Sequence, residues 1–138
     1  MIQYIASDVD GTLLHGHATT LNPELFDIIR QLKEHGIHFI AASGRQYINL
    51  QRLFAPVKDD ISYVAENGSM CVHDGKIVSL GHIDTDLIYE IADAAKEYGH
   101  CHTLISTART GYTDSQDPDY IDHIRNDVGY DMDIVQNV

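Results

Sequence analysis

Three short apolar runs constrain this chain more than anything else in it: Ile2–Ser7, Ile37–Ala42 and Ile61–Ala65. Each is too short for a helix and long enough for a buried strand. Helical patterns separate them. Asn22-Pro23 reads as a cap followed by proline at the first helical position. Leu25, Ile28, Ile29 and Leu32 then form one apolar stripe, and Gly36 stands where a left-handed stop belongs. A second, shorter helix is expected from about Gln46 to Phe54, and Pro56 prevents its continuation. The order β-α-β-α-β predicts a parallel sheet covered by helices, with right-handed crossovers.

After the third run the texture changes. Ser69–Val72 and Lys76–Leu80 flank Asp74-Gly75, a two-residue hairpin signal, so a hairpin is expected at about 69–80. A helix is predicted from about Asp84 to Tyr98, with Ile88, Ile91, Ala92 and Ala95 on its apolar face and Gly99 at its end. Asp84 and Asp86 are expected to cap it. His102–Ser106 reads as a strand and Pro118–Asn126 as a helix. The aspartate-rich stretch from Gly111 is otherwise weakly patterned. A boundary is placed near His82, giving a core at 1–81 and the beginning of a second unit at 82–138.

In an open parallel sheet, ligands bind beyond the carboxyl ends of the strands. The residues at those ends are Asp8-Val9-Asp10-Gly11-Thr12, Ser43-Gly44-Arg45 and Glu66-Asn67-Gly68. Two carboxylates at one strand end can divide the labour of phosphoryl transfer, one as nucleophile and one as acid and base. Oxygen ligands there suit Mg²⁺, which would offset repulsion between an anionic nucleophile and an anionic substrate. Backbone N–H groups at Val9 and Asp10 can cradle phosphate oxygens. Taken alone, DxDG also fits a solvated turn. An EF-hand fails on spacing, because the glycine comes too early and Thr19 stands where the glutamate belongs.

The string Asp8-Val9-Asp10-Gly11-Thr12-Leu13, directly after an apolar strand, resembles the first motif of the haloacid dehalogenase-like (HAD) superfamily, DxDGT[LV]. The resemblance implies an α/β, HAD-like (Rossmann-like) parallel core. It makes Asp8 the nucleophile and a magnesium ligand, Asp10 the general acid/base with its carbonyl as another magnesium ligand, and Thr12 a support for the loop. Ser43 matches the second motif, a hydroxyl that donates to a phosphate oxygen, although a plain helix cap would read the same way. Gly44 opens the backbone before a helix N-terminus that favours an anion, and Arg45 can add charge complementarity. Glu66-Asn67-Gly68 resembles the Cof-type (type IIB) branch. Asn67 is expected either to face the crevice and the phosphate or to serve only as a turn-former.

The stretch from Asp8 to Ser43 has room for one loop and one helix. An inserted cap must therefore come later, as in type II members, and residues 82–138 resemble the beginning of an α+β cap, apparently truncated. A lysine and a GDxxxD-like acidic motif that the family uses after its cap find no match here. A shortened gene product, a pseudoenzyme and assembly with a partner that supplies the rest all fit that departure. The core would then be incomplete, with an exposed edge beside the first strand and self-association through it.

The activity implied is Mg²⁺-dependent hydrolysis of a small phosphorylated metabolite, such as a sugar phosphate, through an aspartyl-phosphate. The alternative is a non-catalytic binding or regulatory module that keeps the scaffold. A formal net charge of −12 argues against nucleic acid and anionic membrane as partners. No run approaches the length needed to span a bilayer, so a cytoplasmic protein is expected. Cys71 and Cys101 read as two buried free thiols. His15 and His17 form an HxH in the loop after the first motif, too few ligands for a firm metal site.

Overall fold

A computed structural model describes residues 2–16 and 18–138, so His17 lies outside the described residues. The chain divides into two compact units, Met1–Gly81 and His82–Val138.

The first unit is built on a five-stranded sheet in the order β1-β2-β3-β4-β5. Its strands are β1 (Tyr4–Asp8), β2 (His38–Ala42), β3 (Ser62–Ala65), β4 (Met70–His73) and β5 (Lys76–Leu80). β1, β2 and β3 run parallel, whereas β4 and β5 form an antiparallel hairpin. The hairpin turn places Asp74 and Gly75 at φ 49° and 69°. Two left-handed central residues match the right-handed twist of the flanking strands, which is why Asp-Gly signals this turn so well.

Two helices supply the first unit's crossovers. In α1 (Pro23–Glu34), the Asn22 side chain accepts from the Glu24 N–H at 3.0 Å. Ile29 is buried, and Leu25, Phe26 and Leu32 pack partly covered against the core. Ile28, expected in the stripe, is instead half exposed and Phe26 takes the inward place. α2 (Tyr47–Leu53) buries Leu50 and ends at Phe54. Pro56 then sits in a single 3₁₀ turn, Ala55–Val57. The core joins Phe39, Ala41, Tyr63 and Ala65 of the sheet to Ile29, Leu50 and Phe54 of the helix layer. Phe39 meets Phe54 at 6.2 Å between ring centroids, and Tyr47 meets Tyr63 edge-on at 5.1 Å.

At the far end of this sheet from the strand tips, Ser62 links two histidines. Its hydroxyl lies 2.8 Å from His38 Nε2 and 2.7 Å from His73 Nδ1. Burial lowers the His38 pKa below its ordinary value, the neighbouring His73 lowers it further, and Asp74 opposes the shift. Because the unfolded chain binds this proton more readily, the contribution to stability is complete above a pH of about 6.5 and is lost as pH falls through that value. Thermal unfolding followed by circular dichroism should therefore show a lower midpoint at pH 5.5 than at 7.5. His38→Gln should flatten that difference, and an unchanged pH slope in the variant would contradict the assignment.

The second unit contains α3 (Thr85–Tyr98) and a three-stranded sheet of β6 (Ile105–Ser106), β7 (Gly111–Thr113) and β8 (Met132–Ile134), in that order. α4 (Pro118–Asp122) continues into a wider π-type turn, His123–Asp127, where a longer regular helix was expected. β7 and β8 fall in the stretch that carried no clear pattern. In α3, Ala92 is buried as expected while Ile91 is half exposed. Asp84 holds the N-cap position without a side-chain capping bond. The thiols also differ from expectation, since Cys101 is exposed and Cys71 only partly covered. Among the described residues, no helix is long and apolar enough to cross a membrane.

Candidate active site at the ends of the parallel strands

β1 and β2 are in register to their last residues, with Asp8 opposite Ala42. The Ser43 N–H donates to the Val64 carbonyl at 2.9 Å, carrying the ladder one residue past β2. The three predicted loops therefore leave the same end of the sheet.

The first loop folds back at once. The Val9 carbonyl accepts from the N–H groups of Thr12, Leu13 and Leu14, and the Gly11 N–H donates to the Leu14 carbonyl at 2.8 Å. This tight return needs Gly11 at φ 83°, a region closed to most side chains. Val9 is fully buried, with its carbonyl taken up by the loop's own N–H groups. Asp8 and Asp10 stay exposed. The Thr12 hydroxyl donates to Asp8 Oδ2 at 3.0 Å, a fixed partner for one carboxylate oxygen.

Asp10 is held from the second loop. Arg45 Nη2 donates to Asp10 Oδ1 at 2.7 Å and Arg45 Nε to Oδ2 at 2.9 Å. The Ser43 hydroxyl approaches Asp10 Oδ2 at 3.4 Å and also accepts from the Arg45 N–H at 3.2 Å. The fork is the geometry in which guanidinium and carboxylate bind most strongly. Hydrogen bonding from Arg45 lowers the Asp10 pKa, against the opposing effect of burial, and the same contact raises that of Arg45. Arg45 was expected to complement a phosphate. In this structure its partner is a carboxylate, because Asp10 is the anion within its reach.

The third loop closes the site from β3. The Glu66 N–H donates to the Arg45 carbonyl at 3.0 Å and the Asn67 N–H to the Ser43 carbonyl at 3.3 Å. Glu66 and Asn67 both take positive φ, 52° and 55°. Asn67 is thus a turn-former, and its side chain also lies against the second loop. A Cβ built on Gly44 would stand 2.8 Å from Asn67 Oδ1. A larger residue at position 44 would have to displace the end of the Asn67 side chain. Gly44→Ala should cost about 1–2 kcal/mol through overpacking. Asn67→Gly in the same chain should remove most of that penalty in a urea-unfolding double-mutant cycle, whereas purely additive effects would contradict the contact.

The structure brings Asp10, Ser43 and Arg45 into one hydrogen-bonded cluster and sets Gly44 against Asn67, while Asp8 ends the strand whose loop carries Asp10 and is bonded to Thr12 instead. Glu66, placed by the sequence at the third strand end but given no role there, holds the Arg45 backbone through its N–H. His15 is exposed. Among the described residues, no group of three or more histidine, cysteine or acidic side chains is placed to hold a metal ion by itself.

Acidic and hydroxyl side chains gather at the carboxyl ends of the parallel strands, the place where Rossmann-like α/β sheets carry their ligand sites. The sequence matches the model of the haloacid dehalogenase-like hydrolases over residues 5–137, and the chain belongs to that family. It is 36% identical over 92 residues to the 5-amino-6-(5-phospho-D-ribitylamino)uracil phosphatase YbjI of Escherichia coli (strain K12), a match covering 67% of this chain and 34% of that protein. Phosphatase YwpJ of Bacillus subtilis (strain 168) is 30% identical over 93 residues, covering 65% and 32%. A solved structure from Eubacterium rectale superposes with a TM-score of 0.89 at 26% identity, covering 99% of this chain and 52% of that one. The chain spans about a third of the length of the two curated relatives and about half of the solved chain.

Proposed function

We propose that this chain carries the nucleophile-bearing part of a Mg²⁺-dependent phosphatase acting on small phosphorylated metabolites. The observation that carries the reading is the meeting of Asp10, Ser43 and Arg45 across the tips of β1 and β2, with Asp8 as the last residue of β1. The curated relatives in the comparison are named phosphatases, one of them for a phosphorylated ribitylaminouracil. A phosphate ester of a polyol or sugar is the substrate class that follows.

In this reading Asp8 attacks phosphorus, and the bond from phosphorus to the ester oxygen breaks. Asp10 supplies the proton that the leaving alcohol needs, then removes one from the water that cleaves the aspartyl-phosphate. Thr12 holds one oxygen of Asp8 and so orients the other. Ser43 donates to the phosphoryl group, and backbone N–H groups of the first loop add further donors. Arg45 keeps Asp10 ionised in the free site; an arriving phosphoryl group competes for the guanidinium and releases Asp10 to take up a proton.

The donor set fits Mg²⁺ in kind. It is all oxygen, and this ion is commonly bound by one or two carboxylates together with substrate phosphate and water. The Asp8 carboxylate and Asp10 would hold it. When bound, it would neutralise charge shared by nucleophile and substrate. Residues 82–138 form, on the same reading, the beginning of a type II cap that selects substrate.

A second reading, a binding module without turnover, draws on the Arg45 fork, which occupies both oxygens of the acid/base residue. One assay separates the two. Phosphatase action predicts phosphate release from p-nitrophenyl phosphate that requires Mg²⁺ and stops on chelation. Saturable phosphate binding with no release at any Mg²⁺ concentration would establish the binding module instead.

A further inference from the structure

At the end of the first unit's sheet opposite Asp8 and Ser43, three side chains converge on one point. His38 opens β2, Ser62 opens β3 and His73 closes β4. Phe39, Tyr63 and Val72 point into the core, so their neighbours His38, Ser62 and His73 share the other face. Tyr63 pairs with Val72, and the next step along the ladder sets Ser62 opposite His73. His38 Nε2 and His73 Nδ1 both aim at the Ser62 hydroxyl oxygen, at 2.8 and 2.7 Å. The two rings stand nearly perpendicular, at 74°, with centroids 5.1 Å apart.

Imidazole nitrogens aimed at a common point are the ligands that borderline divalent ions such as Zn²⁺ take most readily. A hydroxyl has one proton, so Ser62 can donate to only one of the two rings at a time. His73 also has the outer partner that a ligating histidine commonly uses. Its far nitrogen, Nε2, lies 3.6 Å from Asp74 Oδ2. A carboxylate there keeps the proton on Nε2 and leaves Nδ1 as a lone pair. Burial, acting first, and the neighbouring His73 lower the His38 pKa, which keeps that ring in the neutral form a metal requires. Lys33, the cation that bears on His38, is itself ion-paired with Asp60. Ser62 is buried while His73 is exposed, so an ion has a way in from the hairpin side.

We propose that His38 Nε2 and His73 Nδ1 together bind a divalent transition-metal ion, Zn²⁺ or one of its chemical kind, with the Ser62 hydroxyl and water as the remaining ligands. A Zn–N bond is about 2.0–2.1 Å, shorter than either ring's contact with Ser62, so the ion sits between the rings as the hydroxyl draws back. A net charge of −12 favours the approach of a cation. The ion ties β4 to β2 across β3 and so staples the hairpin to the parallel strands. Mg²⁺ takes oxygen ligands and does not compete for two imidazoles. His38 and Ala42 end the same strand about 13 Å apart, which separates this site from the carboxylates at the strand tips. The inference rests on the two rings and their partners, and holds whether or not Asp8 is a nucleophile.

The test titrates Zn²⁺ into the 138-residue chain in a large excess of Mg²⁺, followed by imidazole ¹⁵N NMR and by calorimetry. The His38 Nε2 and His73 Nδ1 signals are expected to shift together and to saturate at one equivalent. His38→Gln and His73→Gln should each weaken that binding at least about 10-fold, since each removes one of two nitrogen ligands. Asp74→Asn, which keeps the shape and removes the carboxylate behind His73, should weaken it about 10-fold. Unshifted signals at these two nitrogens overturn the proposal, and so does equal Zn²⁺ affinity in the two glutamine variants. Shifts confined to other histidines overturn it as well. The ring signals are read on the unsubstituted chain, so they decide the matter even where a variant fails to fold.

Discussion

Asp8→Ala is expected to lower Mg²⁺-dependent phosphate release by at least about 10³-fold while leaving the fold intact. The two halves of this expectation come from different observations. Asp8 ends β1 with an exposed carboxylate whose contact is the Thr12 hydroxyl. Its removal empties no cavity and strands no buried partner, so stability should change by no more than about 0.5 kcal/mol. On the proposed mechanism the chemistry, in contrast, would lose the atom that bonds to phosphorus. Asp8→Asn keeps the shape and removes the charge, and it should fail equally. Initial rates together with thermal unfolding of both variants check the pair of expectations. A variant that loses activity only in proportion to lost folded protein would assign Asp8 to structure.

Phe54→Ala should have the largest effect on stability, about 3–5 kcal/mol. The ring is fully buried, packs on Phe39, and follows directly on α2. α2 in turn follows the Ser43-Gly44-Arg45 loop. Loss of this ring removes a contact that holds the C-terminal end of α2 to the sheet. Folded domains are stable by only about 5–15 kcal/mol, so the variant should be partly unfolded in moderate urea. Phe54→Leu, which keeps much of the volume, should cost less than about 1.5 kcal/mol. Equal unfolding midpoints for Phe54→Ala and the parent would show that the ring carries no such packing.

The parts of the molecule most legible in the sequence are those that local chemistry decides. Asn22-Pro23 starts α1 and Asp74-Gly75 turns the hairpin because a cap and a pair of positive φ angles are requirements of a few adjacent residues. The parallel core followed from three apolar runs and the helices between them, and the loops at their ends share one end of the sheet for the same topological reason. The Arg45–Asp10 fork was not legible. It joins side chains from different strands, and Arg45 could equally well have been kept for an incoming anion.

Ile28 was misplaced because a stripe at helical spacing fits more than one rotation of a 12-residue helix. Once Phe26 occupied the core, Ile28 turned outward. β7 and β8 are three residues each, below the length at which alternation can be read against an aspartate-rich background. Thr113 is fully buried with its hydroxyl donating to the Thr103 carbonyl at 2.7 Å, and it lies in the weakly patterned stretch because a buried hydroxyl leaves no mark in sequence. The thiol of Cys101 was expected to be buried from residue type alone, and its neighbours decided otherwise.

The central claim is that Asp8 becomes covalently phosphorylated. Borohydride added during turnover of p-nitrophenyl phosphate reduces an aspartyl-phosphate to homoserine, which peptide mass spectrometry locates. The account predicts homoserine at position 8 of the parent chain and its absence without Mg²⁺. Continued phosphate release with aspartate intact at position 8 in every recovered peptide would contradict it.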